Sequence, residues 1–181
     1  KKDGYSLEFA SYRLRDDMEL VLTAVESNAG TFTHASTRLK DNKEVVVRAI
    51  GSSHASYSNF DFEDLSARLR NDKEILLKYV RRQSKLDHDQ CYAVELYFGA
   101  VSFRLRDDKE TVKAVVQVFG AALKFVSKRL RNDQEIVLAA VSNEGYVLQY
   151  ASKQLRDDRE VVLTAVRNYG GALQYASKQL R

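Results

Sequence analysis

The chain has 181 residues, enough for one domain with a substantial core but too few for two large ones. It has no proline, only 8 glycines and 44% hydrophobic residues, which favours a helical protein and argues against a disordered chain. The 29 basic and 25 acidic residues leave a net charge of +4, too small by itself to indicate nucleic-acid binding.

A tetrapeptide of Leu, a basic residue and two residues that are each Asp or Asn occurs six times. Its leucines are separated by 25, 30, 36, 25 and 25 residues, and a seventh leucine follows after 25 more. The equal spacings indicate an internal repeat of about 25 residues that is interrupted by two insertions. We number the copies 1 to 7 by their anchor leucines, which are Leu14, Leu39, Leu69, Leu105, Leu130, Leu155 and Leu180.

Each copy begins with a predicted first helix of about ten residues that ends at the anchor leucine. In copy 6, Leu148 and Ala151 stand seven and four positions before the anchor, and Ser152 stands three before it. These positions share one helical face, so we expect an amphipathic helix. The serine recurs in every copy. We interpret it as a small residue whose hydroxyl bonds back to a carbonyl one turn earlier.

A second helix is predicted after each anchor. Asp157 and Glu160 have the spacing of a capping box, and the same spacing occurs in all six complete copies. The helix is apolar on several sides, which predicts that it is the inner, buried helix. Gly120, Gly145 and Gly170 follow these helices, where we expect left-handed C-terminal caps.

The predicted fold is all-α: a right-handed α-solenoid-like array of about seven 25-residue helix-turn-helix repeats. Helices of about ten residues are marginal alone in water, so stability must come from stacking of neighbouring copies. We expect one repeat domain over residues 1–181, and a segment of a longer chain because no polar capping unit is recognisable. Units are predicted to end near residues 29, 54, 84, 120, 145 and 170, with insertions around 51–61 and 85–97.

The strings Ala-Leu-Gln-Tyr-Ala-Ser-Lys-Gln-Leu-Arg at 172–181 and Arg-Asn-Asp-Gln-Glu-Ile-Val-Leu-Ala-Ala-Val at 131–141 resemble the helical repeat family called domain of unknown function 4116. The resemblance covers nearly the whole chain, is close from about Phe98 onward and weakens between Gly51 and Tyr97. It implies tandem modules with two such units per family domain. It implies no assigned activity and carries over no catalytic residue.

Basic residues flank the anchor leucines, and stacking would align them into a ladder that could meet phosphates or acidic partners. The strongest candidates are Arg104, Arg106, Arg129 and Arg131. A structural explanation competes with this one, because cations at a helix end favour the dipole and adjoining acids neutralise the row.

The two insertions carry the other candidate partner-binding residues, which are Tyr57, Phe60, Tyr92 and Tyr97. Insertions in a repeat array map to loops that often make contacts, and aromatic side chains there are suited to anchor a partner. Equally, these rings could fill the mismatch between units of unequal length.

No arrangement of residues indicates catalysis or a bound cofactor. The repeated serine has no matching histidine and acid, and no glycine loop suited to phosphates is present. His88, Asp89 and Cys91 form half of a zinc site, but no second cysteine exists to complete it. We therefore predict no enzyme activity, no cofactor and no metal.

The function predicted from the repeats is a protein–protein interaction scaffold or accessory subunit, within a large assembly. The alternative is a solenoid that binds RNA or DNA through the basic ladder. The lone Cys91, the lack of an apolar run long enough to span a membrane and the lack of a signal core favour an intracellular protein, in the cytoplasm or an organelle, that is not secreted.

Overall fold

The structure, a computed structural model, describes residues 7–52, 62–84 and 97–181, in which every regular element is helical. The prediction of an all-α fold is confirmed for these residues. No helix among them is long and apolar enough to cross a membrane. The longer helix after each anchor is α1 (Met18–Ser27), α2 (Lys43–Gly51), α3 (Lys73–Gln83), α4 (Lys109–Val116), α5 (Gln134–Asn143) or α6 (Arg159–Asn168).

The first element of each copy is two short pieces, not the single helix of about ten residues that the periodicity predicts. In copies 2, 3, 5, 6 and 7 the first piece is a 3-10 helix, and in copy 4 residues 97–100 are α-helical. A short turn carrying the anchor leucine follows after a break. The 3-10 helices are Ala29–His34, Phe62–Asp64, Gly120–Phe125, Gly145–Tyr150 and Gly170–Tyr175. The turns are Tyr12–Arg15, Thr37–Lys40, Ala67–Arg70, Phe103–Arg106, Leu130–Asn132 and Leu155–Asp157.

The break falls at the repeated serine. Ser36 has an extended backbone, with φ −60° and ψ 156°, and its hydroxyl accepts a hydrogen bond from the Leu39 amide at 3.2 Å. A serine in this conformation starts a new helical turn because its side chain replaces the missing backbone partner. The apolar period continues across the break, which is why the sequence pattern alone indicates one helix.

The N-cap of each longer helix is the second residue of the Asp/Asn pair, one position later than predicted. Asp158 accepts from the Val161 amide at 3.0 Å, and Asp108 accepts from the Thr111 amide at 2.8 Å. The prediction of a capping box that begins at Asp157 is therefore wrong. Two adjacent residues are both chemically able to cap, and only the backbone geometry distinguishes them.

The glycines after the longer helices do not adopt the left-handed conformation that we predicted. Gly120 and Gly145 are needed because another helix passes too close to leave room for a side chain. Neither Gly120 nor Gly145 has a positive φ. A Cβ at Gly145 would lie 2.2 Å from the Ala165 carbonyl oxygen, and one at Gly120 would lie 2.7 Å from the Ala140 carbonyl oxygen. Each glycine lets its 3-10 helix lie against the longer helix of the same copy.

Contacts divide the chain into two compact units, Lys1–Arg82 and Gln83–Arg181. In the first unit α1 packs against α2. In the second unit α5 packs against both α4 and α6, and the 3-10 helix of copy 6 packs against those of copies 5 and 7. Neighbouring copies therefore stack within each unit, as expected for a repeat array. The handedness and the number of repeats stay predictions.

The core consists of the anchor leucines of copies 2 to 6 and the buried apolar residues of the longer helices, whereas the anchor leucine of copy 1, Leu14, is 43% exposed. Leu130 has no exposed surface, and neither do Ile136, Val137, Ala140 and Val141 on α5. A side chain of this size contributes about 1.5–3 kcal/mol when it is fully buried. Helix α5 is thus an inner helix that is enclosed by the copies before and after it.

Candidate partner-binding surface

Serine and aspartate side chains join neighbouring copies in both units. The Ser127 hydroxyl donates to the Asp107 carboxylate of the preceding copy, and the Ser127 amide donates to the Arg106 carbonyl at 3.1 Å. The predicted bond to a carbonyl one turn earlier is wrong, because the hydroxyl proton goes to this carboxylate instead. The same side-chain bond joins Ser36 to Asp16, Ser66 to Asp41, Ser152 to Asn132 and Ser177 to Asp157.

The arginine before the anchor leucine binds the same acidic residue. The Nε of Arg129 lies 3.1 Å from Asp107 Oδ1, and its Nη2 donates to the Asp107 carbonyl at 2.6 Å. Arg38 binds Asp16 in the same way, at 3.0 and 2.7 Å. The Ser127 hydrogen bond and the Arg129 guanidinium hold the pKa of the Asp107 carboxyl below its usual value. The arginine stays largely exposed, so the ion pair by itself contributes little stability.

A second connection joins the starts of the longer helices. The Nζ of Lys109 lies 2.8 Å from Asp133 Oδ2 and 2.9 Å from Glu135 Oε2, and Lys113 also binds Glu135. The two lysines lower the pKa of Glu135 to about 2. The first unit contains the same arrangement in Lys43, Asp72 and Glu74. Glu135 and Glu74 therefore each pair with a lysine of the copy before them, whereas Glu44 pairs with Arg48 of its own helix.

A third connection joins the ends of the longer helices. The Asn168 amide donates to the carbonyls of Ser142 and Asn143 at 3.0 and 3.1 Å, and its oxygen accepts from the Gly145 amide at 2.6 Å. These bonds satisfy carbonyl groups that the end of a helix leaves without partners. The side chain of Asn168 thus closes the end of α5 from the next copy.

The four predicted arginines occupy two kinds of position in the second unit. Arg104 and Arg129, just before the anchor leucines, are exposed, whereas Arg106 and Arg131, just after them, are half-buried. The Nε atoms of Arg106 and Arg131 are shielded from solvent and make no hydrogen bond with any described residue. Because Asp107 pairs with Arg129, the four do not form one row of free cations. A role for them in binding a partner stays a prediction.

Most of the predicted residues in the insertions lie outside the described part of the chain: Tyr57, Phe60, Tyr92, His88, Asp89 and Cys91. Tyr97 is described, and it is half-buried directly before the buried Phe98. Among the described residues, no group of three His, Cys, Asp or Glu side chains is placed to hold a metal ion.

A set of residues in copies 5, 6 and 7 takes no part in these connections. Lys128, Lys153 and Lys178 stand two positions before the anchor leucines and are exposed, and none forms an ion pair within the described ranges. A half-buried aromatic residue stands three positions before each lysine. We call these six residues the lysine–aromatic surface: Lys128, Lys153, Lys178, Phe125, Tyr150 and Tyr175.

The candidate residues chosen from the sequence did not include this surface. The signal was present, because residues 148–156 and 173–181 are the identical string Leu-Gln-Tyr-Ala-Ser-Lys-Gln-Leu-Arg. The buried positions of that string explain its apolar residues and its serine, but the fold does not require an identical exposed lysine. The lysine can be recognised as exposed only when the position of the break at the serine is known, and the apolar periodicity does not reveal that break.

Comparison with known families finds one family, described as Domain of unknown function (DUF4116), at residues 1–39, 17–63, 108–156 and 140–181. The matches cover more than half of the chain, and each spans about two of the copies, as the resemblance implied. Comparison with curated proteins and with solved structures finds no match. The chain belongs to the domain of unknown function 4116 family.

Proposed function

We propose that the chain is a non-catalytic scaffold or accessory subunit that binds other proteins along its stacked helical segments. The observation that carries this proposal is the use of the repeated polar residues. Serine with aspartate, lysine with glutamate, and asparagine with backbone carbonyls all connect neighbouring copies. These residues build the stack, and the exposed residues that differ between copies are left to contact a partner.

Exposed aromatic side chains support a protein partner. Phe103 is 64% exposed at the start of the copy 4 turn, and Tyr146 is 38% exposed in the 3-10 helix of copy 6. Large aromatic residues are enriched among those that dominate binding energy at protein interfaces. A partner that covers these rings removes apolar surface from water, at roughly 25 cal/mol for each Å² buried.

The chemistry of the repeated serine also supports a non-catalytic role. Ser127 is buried, its hydroxyl donates to Asp107, and its oxygen accepts from the Leu130 amide at 3.3 Å. A nucleophilic serine needs a base that can take its proton and a path for the substrate. The lowered pKa of Asp107 makes its carboxylate a weak base.

The test is to isolate the protein at its native level from cells that express it and to footprint the complex with hydroxyl radicals. We expect stoichiometric protein partners and protection of Phe103 and Tyr146 compared with the isolated chain. Phe119 is the control residue. It is 4% exposed and should be equally protected in the complex and in the isolated chain. Recovery of the chain alone, together with turnover of a small molecule, would refute the proposal.

A further inference from the structure

The first segments of copies 5 to 7 contain no acidic residue. Residues 120–131, 145–156 and 170–181 hold eight lysines and arginines and no Asp or Glu. The acidic residues of these copies fall in the segments that follow, where Asp133 and Glu135, for example, pair with Lys109. Since the 3-10 helices of these copies pack against one another, their first segments lie side by side as a layer whose own charged residues are all basic, with the Asp107 and Asp157 carboxylates bonded to Ser127 and Ser177 at its edge.

This layer is particular to copies 5 to 7 and is not a requirement of the fold. In copies 1 to 3 the position of the lysine is taken by Tyr12, Thr37 or Ala67, and in copy 4 by Phe103. The described first segments of the first unit also contain Glu8 and Asp64. The same backbone is therefore built without lysine at this position, so packing does not explain why three successive copies carry one.

The lysines differ from the arginine row in having no acidic partner. Arg129 is matched by Asp107, but Gln154 and Gln179 replace that arginine in copies 6 and 7. Both glutamines are exposed, and their side chains make no hydrogen bond within the described ranges. Each amide offers a donor and an acceptor beside the neighbouring lysine. A carboxylate and a peptide backbone together would satisfy these groups.

We infer that the lysine–aromatic surface binds an acidic, extended segment of a partner protein, with one carboxylate for each of Lys128, Lys153 and Lys178. The inference rests on the proposed function and names the kind of partner. Packed α-helices lie about 9 Å apart, and we take this distance as the spacing of successive copies. A polyproline II segment rises about 3.1 Å per residue with three residues per turn, so every third side chain returns to the same face after about 9 Å. An acidic residue at every third position therefore matches the row of lysines.

A single-stranded nucleic acid fits this surface less well. Nonspecific binders stack bases on open aromatic faces and neutralise several phosphates in succession. Here the rings at this position are half-buried, and Phe125 packs so closely on Gly99 that a Cβ there would lie 2.8 Å from the ring. Only one unpaired lysine recurs per copy, and the exposed Asp157 carboxylate lies in the same stack. The glutamine amides match a peptide backbone better than a phosphate.

The test measures binding of a fluorescein-labelled Glu-Pro-Pro repeat of about nine residues to the full chain by fluorescence anisotropy. The comparison peptide has the same composition with its glutamates consecutive. We expect the spaced peptide to bind more tightly, and the binding to weaken as salt is added because the ion pairs are exposed. Equal affinity for the two peptides, or no binding of the spaced one, would overturn the inference.

The variant K128E/K153E/K178E should lose affinity for the spaced peptide by about tenfold or more, since three exposed ion pairs are removed. The matched control R13E/R159E/R167E changes net charge equally at exposed positions outside the surface and should keep the affinity. K128Q/K153Q/K178Q provides the same comparison if charge reversal prevents folding, which circular dichroism detects. Equal loss in the lysine and control variants would contradict a specific surface.

Two further outcomes separate this inference from its alternatives. Tighter binding of a single-stranded oligouridine than of the spaced peptide, lost in K128Q/K153Q/K178Q, would replace the peptide by nucleic acid and overturn the inference. Native protein partners that remain bound to K128Q/K153Q/K178Q would overturn it as well. In that second case the proposed scaffold function would still stand, because another surface would carry the partner.

Discussion

Ser127 and Asp107 are 20 residues apart in the chain, and their side chains are hydrogen-bonded. The same serine oxygen accepts from the Leu130 amide at 3.3 Å, so one hydroxyl both starts a turn and joins two copies. The acceptor is a carboxylate whose pKa is lowered by this bond and by Arg129. Hydrogen bonds to charged groups are stronger than those between neutral groups. Stacking and local structure are therefore coupled through one side chain.

Replacing Ser127 by alanine should lower the free energy of unfolding by about 1–2 kcal/mol, because a cap and a bond to a carboxylate are both lost. Urea denaturation followed by circular dichroism measures this change. Lys128→Ala, at the next and exposed position, is the control and should stay within about 0.5 kcal/mol of the parent chain. Equal effects of the two substitutions would contradict the role of the serine.

The assignment of the N-cap to Asp158 predicts a local effect on α6. Asp158→Ala should cost about 1 kcal/mol and speed hydrogen exchange of the Val161 amide, which donates to the Asp158 carboxylate. Asp157→Ala removes the acceptor of the Ser177 hydroxyl and should leave exchange at Val161 nearly unchanged. Amide exchange measured by NMR distinguishes these results. Faster exchange at the Glu160 amide in Asp157→Ala, with Val161 unaffected by Asp158→Ala, would favour the capping box instead.

Gly145 and Gly170 occupy equivalent positions in successive copies. Other atoms crowd the Cα of Gly145, whereas space is open around Gly170. Gly145→Ala places a methyl group 2.2 Å from the Ala165 carbonyl oxygen, and we expect a loss of about 1–3 kcal/mol from overpacking. Gly170→Ala meets no atom within 4 Å and should change stability by less than about 1 kcal/mol. Thermal and urea denaturation of both variants test this pair. A tolerated Gly145→Ala would show that the close approach is not needed.

The pKa of Glu135 predicts how stability depends on pH. It is about 2 in the folded chain, against an ordinary value of 4.5, so between these values the unfolded chain binds more protons. The contribution of Glu135 is fully present above pH 4.5 and is lost as the pH falls towards 2. The stability difference between the parent chain and Glu135→Gln should therefore shrink across this range.

Urea midpoints measured at several pH values between neutrality and strong acid check this prediction. Glu19→Gln is the matched control, because Glu19 is the equivalent residue of copy 1 and its side chain forms no ion pair within the described ranges. The control should show a smaller dependence on pH. A difference for Glu135→Gln that is constant with pH would contradict the pairing with Lys109 and Lys113.

The fold class and the repeats could be predicted because they depend on local apolar periodicity. Leu130 and the α5 residues Ile136 and Val137 are fully buried, as the helical spacing of apolar residues indicates. Predictions failed at polar residues that had two possible partners. Asp157 and Asp158 are both able to cap a helix, and Ser127 could bond to its own backbone or to Asp107.

The sequence by itself determined an all-helical array, its 25-residue period, its family and the residues that form its core. Apolar burial is nondirectional, so the spacing of residues is enough to predict it. Only the tertiary structure decided the break at the serine and the cap at the second residue of the Asp/Asn pair. It also decided the close contact of Gly145 with the Ala165 carbonyl and the ion pair of Arg129 with Asp107. Hydrogen bonds and steric contacts depend on distances between residues far apart in the chain, which a linear pattern does not contain.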